Sequence, residues 1–449
     1  MTEPTDLARR IVGLAADSEQ VEACVGRSVR TEVRVHGGDV ESFTLAETLG
    51  VGVRVVHDRR QGVAHAGTFD PDVVDGLLAE ARDNAGFAEP DARVGLVGAD
   101  GVENAPVDPW SDEVENTSID TKIALALDLE AQCRALDPRV RGVRASIYSD
   151  SRSENAIVST EGIDATRRAT SAALSTTILI DDVGHSTRTG SAVEAARSPG
   201  ALDPDVVAAK AVARGLALVG AARPRTGRPL VVFEPRFTAT ILAIVAGMLS
   251  GERVVKGRTP FGERVGEVVA AANLTMFDDP TDAESLGAAA SDGEGLACRR
   301  VPLISAGRLD GFLHDSRSAR GLGVTSTGSA LRSVRGAPSP GHRSLHVEPG
   351  TGDLASLIAE IDDGLLVASL QGLHSGVNAV SGDLSVGLEG IVIRKGALAE
   401  PIREGTLAGA IPRLLHDIVA IGDDLEGQPG GALVPSLVVS DLTVGGAGG

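Results

Sequence analysis

The stretch ETLGVGVRVVHDRRQGVAHAG, residues 47–67, places an apolar residue at every second position and breaks that rhythm once, around Asp58. A two-residue period is the mark of a strand with one buried face, and an aspartate-containing break between two such runs reads as a tight turn. The segment therefore predicts two antiparallel strands. Upstream, TEVRVHGG (31–38) carries the same alternation and ends in a second turn at Gly37-Gly38. Downstream, DPDVVDGLLAEARDNAGFA (70–88) switches to helical spacing. Asp70 can cap that helix, Pro71 suits its first turn, and Val73, Leu77, Leu78 and Ala81 form its stripe. Leu7, Ile11, Leu14 and Ala15 share one face of an earlier helix over 5–17, with Thr5 as its cap. The opening module is thus helix, strands and helix around one sheet.

The same reading extends along the chain. A connection over 89–116, broken by Pro90, Pro106 and Pro109, is acidic and irregular and is expected to drape over the surface. A helix is predicted over 118–136, then strands in VRGVRASIYSDS, ENAIVST and DATRRATSAALSTTILID, then a helix over 203–221 opened by Asp-Pro-Asp. Near Pro224 the pattern changes. RPLVVFEP (228–235) reads as a buried strand and RFTATILAIVAGMLSG (236–251) as a buried helix. Glycine-punctuated strands follow, with short helices near 354–361 and 404–416 and a frayed tail over 445–449. The expected fold is α+β: an N-terminal part, 1–223, of helices on an antiparallel sheet, and a β-rich C-terminal part, 224–449, built around the buried helix 236–250.

Composition narrows the function. The chain has 449 residues, 42% of them apolar, and a formal charge of −20. Such an excess repels phosphate backbones unless a basic patch is hidden, and no Lys/Arg cluster stands out. Arg332, Arg335 and Arg343 read as ordinary surface charge. Cys24, Cys133 and Cys298 lie far apart without metal-ligand spacing, as in a reducing cytosol. The longest apolar run, 237–249, is too short to span a bilayer, which takes roughly 20 residues. The polar N-terminus does not resemble a signal peptide. A cytoplasmic location is expected, without membrane or nucleic-acid partners.

Local chemistry offers little. His342 and His346 sit between PSPG and VEPG, which forbid a helix, and lack a third ligand, so they read as two partly exposed histidines. Asp278-Asp279 and the pair Asp292 and Glu294 read as acidic turns rather than a cation site. GLGVTSTGSA (321–330) has glycines but no following lysine, so it is weak as a phosphate cradle. In LHSGVN (373–378) a serine nucleophile would need an elbow and an adjacent base; on a strand His374 and Ser375 would face opposite ways.

The segment beginning there, SGVNAVSGDLSVGLEGIVIRKGALAEPIREGTLAGAI (375–411), resembles the C-terminal signature of the TldD/PmbA family, once labelled modulators of DNA gyrase and now regarded as metalloproteases. GVGVRVVHDRRQGVAHAG (50–67), VVKGRTPFGERVGEVVAAANLTMFDDP (254–280), SDGEGLACRRVPLISAGRLDGFLHDSRSARGLGVTSTGSA (291–330) and ALVPSLVVSDLTVGG (432–446) resemble further family segments, in the family's order. The resemblance implies two subunit types. The TldD type carries HExxGH on a helix, with two zinc-binding histidines, a glutamate base and a C-terminal cysteine ligand. The PmbA type, also called TldE, lacks this set and pairs with TldD to enclose a chamber that admits extended polypeptide.

Laying HExxGH on 231–251 with its glycine at Gly247 puts Ala243 and Met248 at the histidine positions and Ile244 at the glutamate. Residues 237–251 contain no His, Asp, Glu or Cys, so the conclusion survives a slip of register. The expectation is a PmbA-type subunit with no cofactor of its own, the zinc lying in a TldD-type partner. Residues 371–395 are expected to form a sheet hairpin beside the chamber, with Ser375 and Asn378 meeting the peptide backbone. The alternative is a free-standing homodimeric hydrolase using Ser375 or a metal bound elsewhere.

Overall fold

The glycine turn at 37–38 and the turn at Asp58 fold the first strands back on one another as the alternation requires. In the computed structural model, which describes residues 3–182, 184 and 187–446, β1 (Gln20–His36), β2 (Asp39–His57) and β3 (Arg60–Ala66) are consecutive antiparallel neighbours. Gly37 and Gly38 take positive φ, as do Asp58 and Arg59. β4 (Val140–Ser159), β5 (Asp164–Ile180) and β6 (Arg188–Ala196) complete a six-stranded sheet in the order β3-β2-β1-β4-β5-β6. Two runs read as separate strands, 140–151 and 154–160, are one 20-residue strand, because no residue between them demands a turn.

One face of this sheet carries the helices. α1 (Pro4–Val12) and α2 (Pro71–Phe87) cover Val21, Ala23, Val25, Val51, Val53 and Val55. α3 (Ile119–Leu136) and α4 (Pro204–Leu216) cover Val33, Val35, Tyr148, Leu174 and Ile178. The caps follow the sequence. Asp70, Ser118 and Asp203 each accept a backbone N–H of the first turn. Three details differ from expectation. The first helix ends at Val12, so Leu14 and Ala15 lie beyond it, and Leu14 is 56% exposed. Glu3, not Thr5, precedes α1, and in α2 the buried stripe uses Val74 while Val73 is 45% exposed.

The C-terminal part holds a seven-stranded sheet. Its order is Ile418–Ile421, Leu437–Val439, β7 (Leu230–Phe233), β8 (Asp363–Gln371), β9 (Asp383–Arg394), β10 (Ala397–Ala410) and Thr443–Gly445. Only β7 and β8 pair in parallel. α5 (Pro235–Met248) follows β7 directly and packs its apolar side between this sheet and a second one containing Met276–Asp278, Val301–Ser305 and Leu345–Val347. α6 (Leu354–Ala359) covers the opposite face through Leu357 and Ile358. The predicted helix near 404–416 is confined to Ile411–His416, and 443–445 is a paired strand rather than a fraying tail; residues 447–449 lie outside the described residues.

The second face of the N-terminal sheet packs on the C-terminal part. The even positions of β1 and β2 are Glu22, Cys24 and Gly26 opposite Arg54, Gly52 and Gly50. The two β2 glycines let a C-terminal loop lie flat on the strand: a Cβ at Gly52 would sit 2.1 Å from the Val334 carbonyl oxygen. Beside it, Arg54 donates from Nε to Glu22 Oε1 (2.9 Å) and from Nη2 to Oε2 (3.2 Å), while Arg332 of that loop donates to Glu22 Oε1 from above. These side chains are 4%, 1% and 2% exposed, so the surface-charge reading of Arg332 is corrected. Burial pushes the Glu22 carboxyl up, but Arg332 and Arg54 more than offset this and hold it below the usual range.

The acidic turns also belong to the interior. Asp292 accepts backbone N–H bonds from Glu294, Leu296 and Ala330, and Asp278 from Arg343 and Ser344. Glu294 accepts from the Ser316 backbone and hydroxyl; burial, and the neighbouring Asp292 charge, push it up to about 7. The connection after α2 is likewise more than a drape. Asp91 pairs with Arg93 and with Arg317, Arg320 donates to the carbonyls of Arg93, Gly95 and Leu96, and Asp100 pairs with Arg299. It straps the two parts together.

Glu22→Gln leaves two buried guanidiniums facing a neutral amide and is expected to cost about 3–5 kcal/mol. Adding Arg332→Met should recover part of that loss in denaturant unfolding. Gly52→Ala should destabilise by about 1–3 kcal/mol through overpacking. Gly76→Ala, on an open face of α2 where a Cβ meets nothing within 4 Å, should stabilise by about 0.5–1 kcal/mol.

Candidate functional site

α5 starts at Pro235, where proline costs no hydrogen bond, and runs apolar because both sides of the C-terminal core press on it. Phe237, Ile241, Leu242, Val245 and Ala246 are buried. Ala239, Thr240, Ala243, Ile244 and Gly247 recur at three- and four-residue spacing and are only partly covered, forming the helix's open stripe. A Cβ at Gly247 would meet nothing within 4 Å. Ala243 and Ile244 therefore lie on the partly covered side of the helix, Ile244 still touching the core, whereas Met248 is fully buried.

The chemistry of these positions is restricted. Zinc takes nitrogen, thiolate or carboxylate donors in tetrahedral geometry, with one site left for water. A methyl group, a sec-butyl group and a buried thioether do not provide it. Beyond the helix, His314 packs on Gly251, is 6% exposed, and has Nδ1 3.3 Å from Ser318 Oγ. Among the described residues no group of three or more His, Cys, Asp or Glu side chains is placed to hold a metal ion.

The segment carrying Ser375 and Asn378 is not the plain hairpin expected. β8 and β9 are antiparallel partners, but 372–382 between them is a loop containing one helical turn, Leu373–Gly376. Gly372 enters it with φ 77°. Ser375 Oγ donates to the Gly372 carbonyl (3.3 Å), and Asn378 Oδ1 accepts from the backbone N–H of Val380 (2.9 Å) and Ser381 (3.3 Å). The two side chains shape the loop, and the strand geometry that would separate His374 from Ser375 does not apply. Both remain exposed.

A different serine–histidine contact does occur. Ser344 Oγ is 2.8 Å from His346 Nε2 and donates to Ser285 Oγ (2.6 Å), and Asp282 approaches the same His346 nitrogen at 3.8 Å. A nucleophilic relay needs the acid on the other ring nitrogen. His346 is 6% exposed, stacked on Phe277, which corrects its partly exposed reading; the group is a core network. Sequence reasoning also missed the arginines of the seam between the two parts, Arg188, Arg214 and Arg236, which line one cavity. They come from a strand and two helices far apart in the chain, so no local pattern groups them. No helix among the described residues is long and apolar enough to cross a membrane.

Comparison with known proteins agrees with this architecture. Residues 226–446 match the PmbA/TldA metallopeptidase C-terminal domain, 112–219 the central domain and 21–85 domain 1. The chain is 23% identical over 427 residues to "Metalloprotease PmbA" of Escherichia coli O157:H7, covering 94% of this chain and 92% of that protein. It is 27% identical over 435 residues to "Metalloprotease TldD homolog" of Haemophilus influenzae, covering 88% and 86%. The fold is that of TldE from Thermococcus kodakarensis, with a TM-score of 0.89, 24% identity and coverage of 98% and 99%. Three matched regions in one order, and relatives aligned over nearly their whole length, make the chain a member of the TldD/PmbA family.

Proposed function

We propose that this chain is the subunit without a zinc site in a two-chain TldD/PmbA-type metalloprotease. Its partner is a TldD-type chain that carries the zinc and the base. This chain completes the chamber, holds extended peptide and stabilises the partner, in the cytoplasm. The observation carrying the reading is the open stripe of α5, where Ala243 and Ile244 stand at the positions implied for a zinc ligand and a base. Relatives named both PmbA and TldD support a two-type family. The loop 372–382 is the peptide-facing element of this reading: exposed, glycine-flanked, and shaped by Asn378.

Metal analysis should find zinc far below one per chain in this protein purified alone. Leader or unfolded peptide should be cut by the two chains mixed and not by this one. Near-stoichiometric zinc, or cleavage by the isolated chain, would favour the free-standing hydrolase instead. Ser375→Ala with Asn378→Ala removes the side-chain bonds by which these two residues shape the loop and should weaken peptide binding by the assembled pair about tenfold. Unchanged binding and processing would remove the loop from the peptide path.

A further inference from the structure

A cavity of about 360 Å³ opens in the seam between β6 and α4 on one side and β8, β9 and the first turn of α5 on the other. Three guanidiniums wall it. Arg188, 6% exposed, donates from Nε to Asp182 Oδ2 (2.7 Å), and its Nη2 has no hydrogen-bond partner. Arg236 donates to Glu234 Oε2 (2.8 Å) and to the carbonyl of Ala368 (3.0 Å), the residue at which β8 bulges out of register. Arg214 donates from Nη1 to the Ser191 carbonyl (3.1 Å), but its Nη2 reaches only the same Glu234 oxygen, at 4.0 Å.

One carboxylate is therefore shared by two cations. Burial, and then the adjacent Arg236 charge, pull Arg214 below the usual guanidinium value, while the Glu234 and Glu426 carboxylates act the other way. Ser191, Ser369 and Gln371 add polar groups to the wall. Glu389 lines the cavity too, yet makes no ion pair within 4.0 Å of any arginine there. Such a site rewards one negative charge near Arg214 and penalises a second near Glu389.

We propose that this seam cavity is a carboxylate subsite, taking the side chain of Asp or Glu, or the terminal carboxylate, of an extended peptide, with Arg214 as the principal donor. The peptide identity rests on the function proposed above; the anion chemistry does not. Gln371, at the end of β8, leads directly into the loop 372–382, so a chain lying along that loop could seat a carboxylate in the cavity. Glu389 selects a singly charged carboxylate over a phosphate dianion.

Isothermal titration of the purified chain with N-acetylglutamate α-amide (a side-chain carboxylate only), N-acetylglutamine (a terminal carboxylate only), N-acetylglutamine α-amide (no charge) and inorganic phosphate tests the subsite without requiring cleavage and separates the two carboxylate sources. At least one of the two singly charged probes should bind about tenfold or more tightly than the uncharged N-acetylglutamine α-amide. Arg214→Gln should abolish that preference, and so should Gln371→Glu, which supplies a competing carboxylate from within, with both variants melting as the parent does. Glu389→Gln should let phosphate bind. Binding of both carboxylate probes no tighter than that of N-acetylglutamine α-amide, or a preference that survives both Arg214→Gln and Gln371→Glu, overturns the proposal. Phosphate binding the parent chain more tightly than either singly charged carboxylate probe does so as well. A carboxylate preference in a chain that fails the two-chain cleavage test would keep the subsite and discard the protease reading.

Discussion

The contact on which the two parts of this protein depend is the buried Arg54–Glu22–Arg332 network. A carboxylate between two guanidiniums, all at most 4% exposed, is expensive to desolvate and is retained only if geometry compensates it. Compensation comes from a bidentate bond within the N-terminal sheet and a third donor from the C-terminal loop. Alignment of that loop is in turn possible because Gly50 and Gly52 leave the strand bare beneath Val334. One strand thus presents valines to its helices and glycines plus one arginine to the other half of the molecule.

From that docking follow the seam and everything lining it. The strap over 88–112, with Asp91 and Asp100 paired to Arg317 and Arg299, fixes the same relative placement from outside. β6 and α4 are thereby brought against β8 and the start of α5, and the arginine-walled cavity exists only between them. The open stripe of α5 is a second consequence. Its buried side is committed to two sheets, and Ala239, Thr240, Ala243, Ile244 and Gly247 form the partly covered side, with Ala239 and Ile244 still packed against the core.

The polar groups of the C-terminal part show how burial reassigns chemistry that looks functional in a string of letters. Asp292 and Asp278 organise backbone amides, Glu294 grips the start of the helix Ser316–Leu322, and His346 with Ser344 and Ser285 satisfies a core strand. Asp292, Glu294 and His346 are held by neighbours on the atoms that would otherwise react, whereas Asp278 uses only Oδ1 and its buried Oδ2 is without a hydrogen-bond partner.

Periodicity placed the four long helices and most strands of the first 220 residues, the turns at Gly37-Gly38 and Asp58, the caps Asp70 and Asp203, and the apolar character of α5, but not the strand Arg188–Ala196 or the continuity of Val140–Ser159. These are set by interactions within a few residues, and the letters record them directly. The family resemblance added the meaning of Ala243, Ile244 and Met248, which no spacing rule supplies. Tertiary structure decided the rest: that Arg332 is interior, that Val74 rather than Val73 is the buried position, that Ser375 and Asn378 brace a loop, and that Arg188, Arg214 and Arg236 share one cavity. Those facts depend on which distant segments meet, and a side chain's charge, burial and partners are properties of the meeting rather than of the residue.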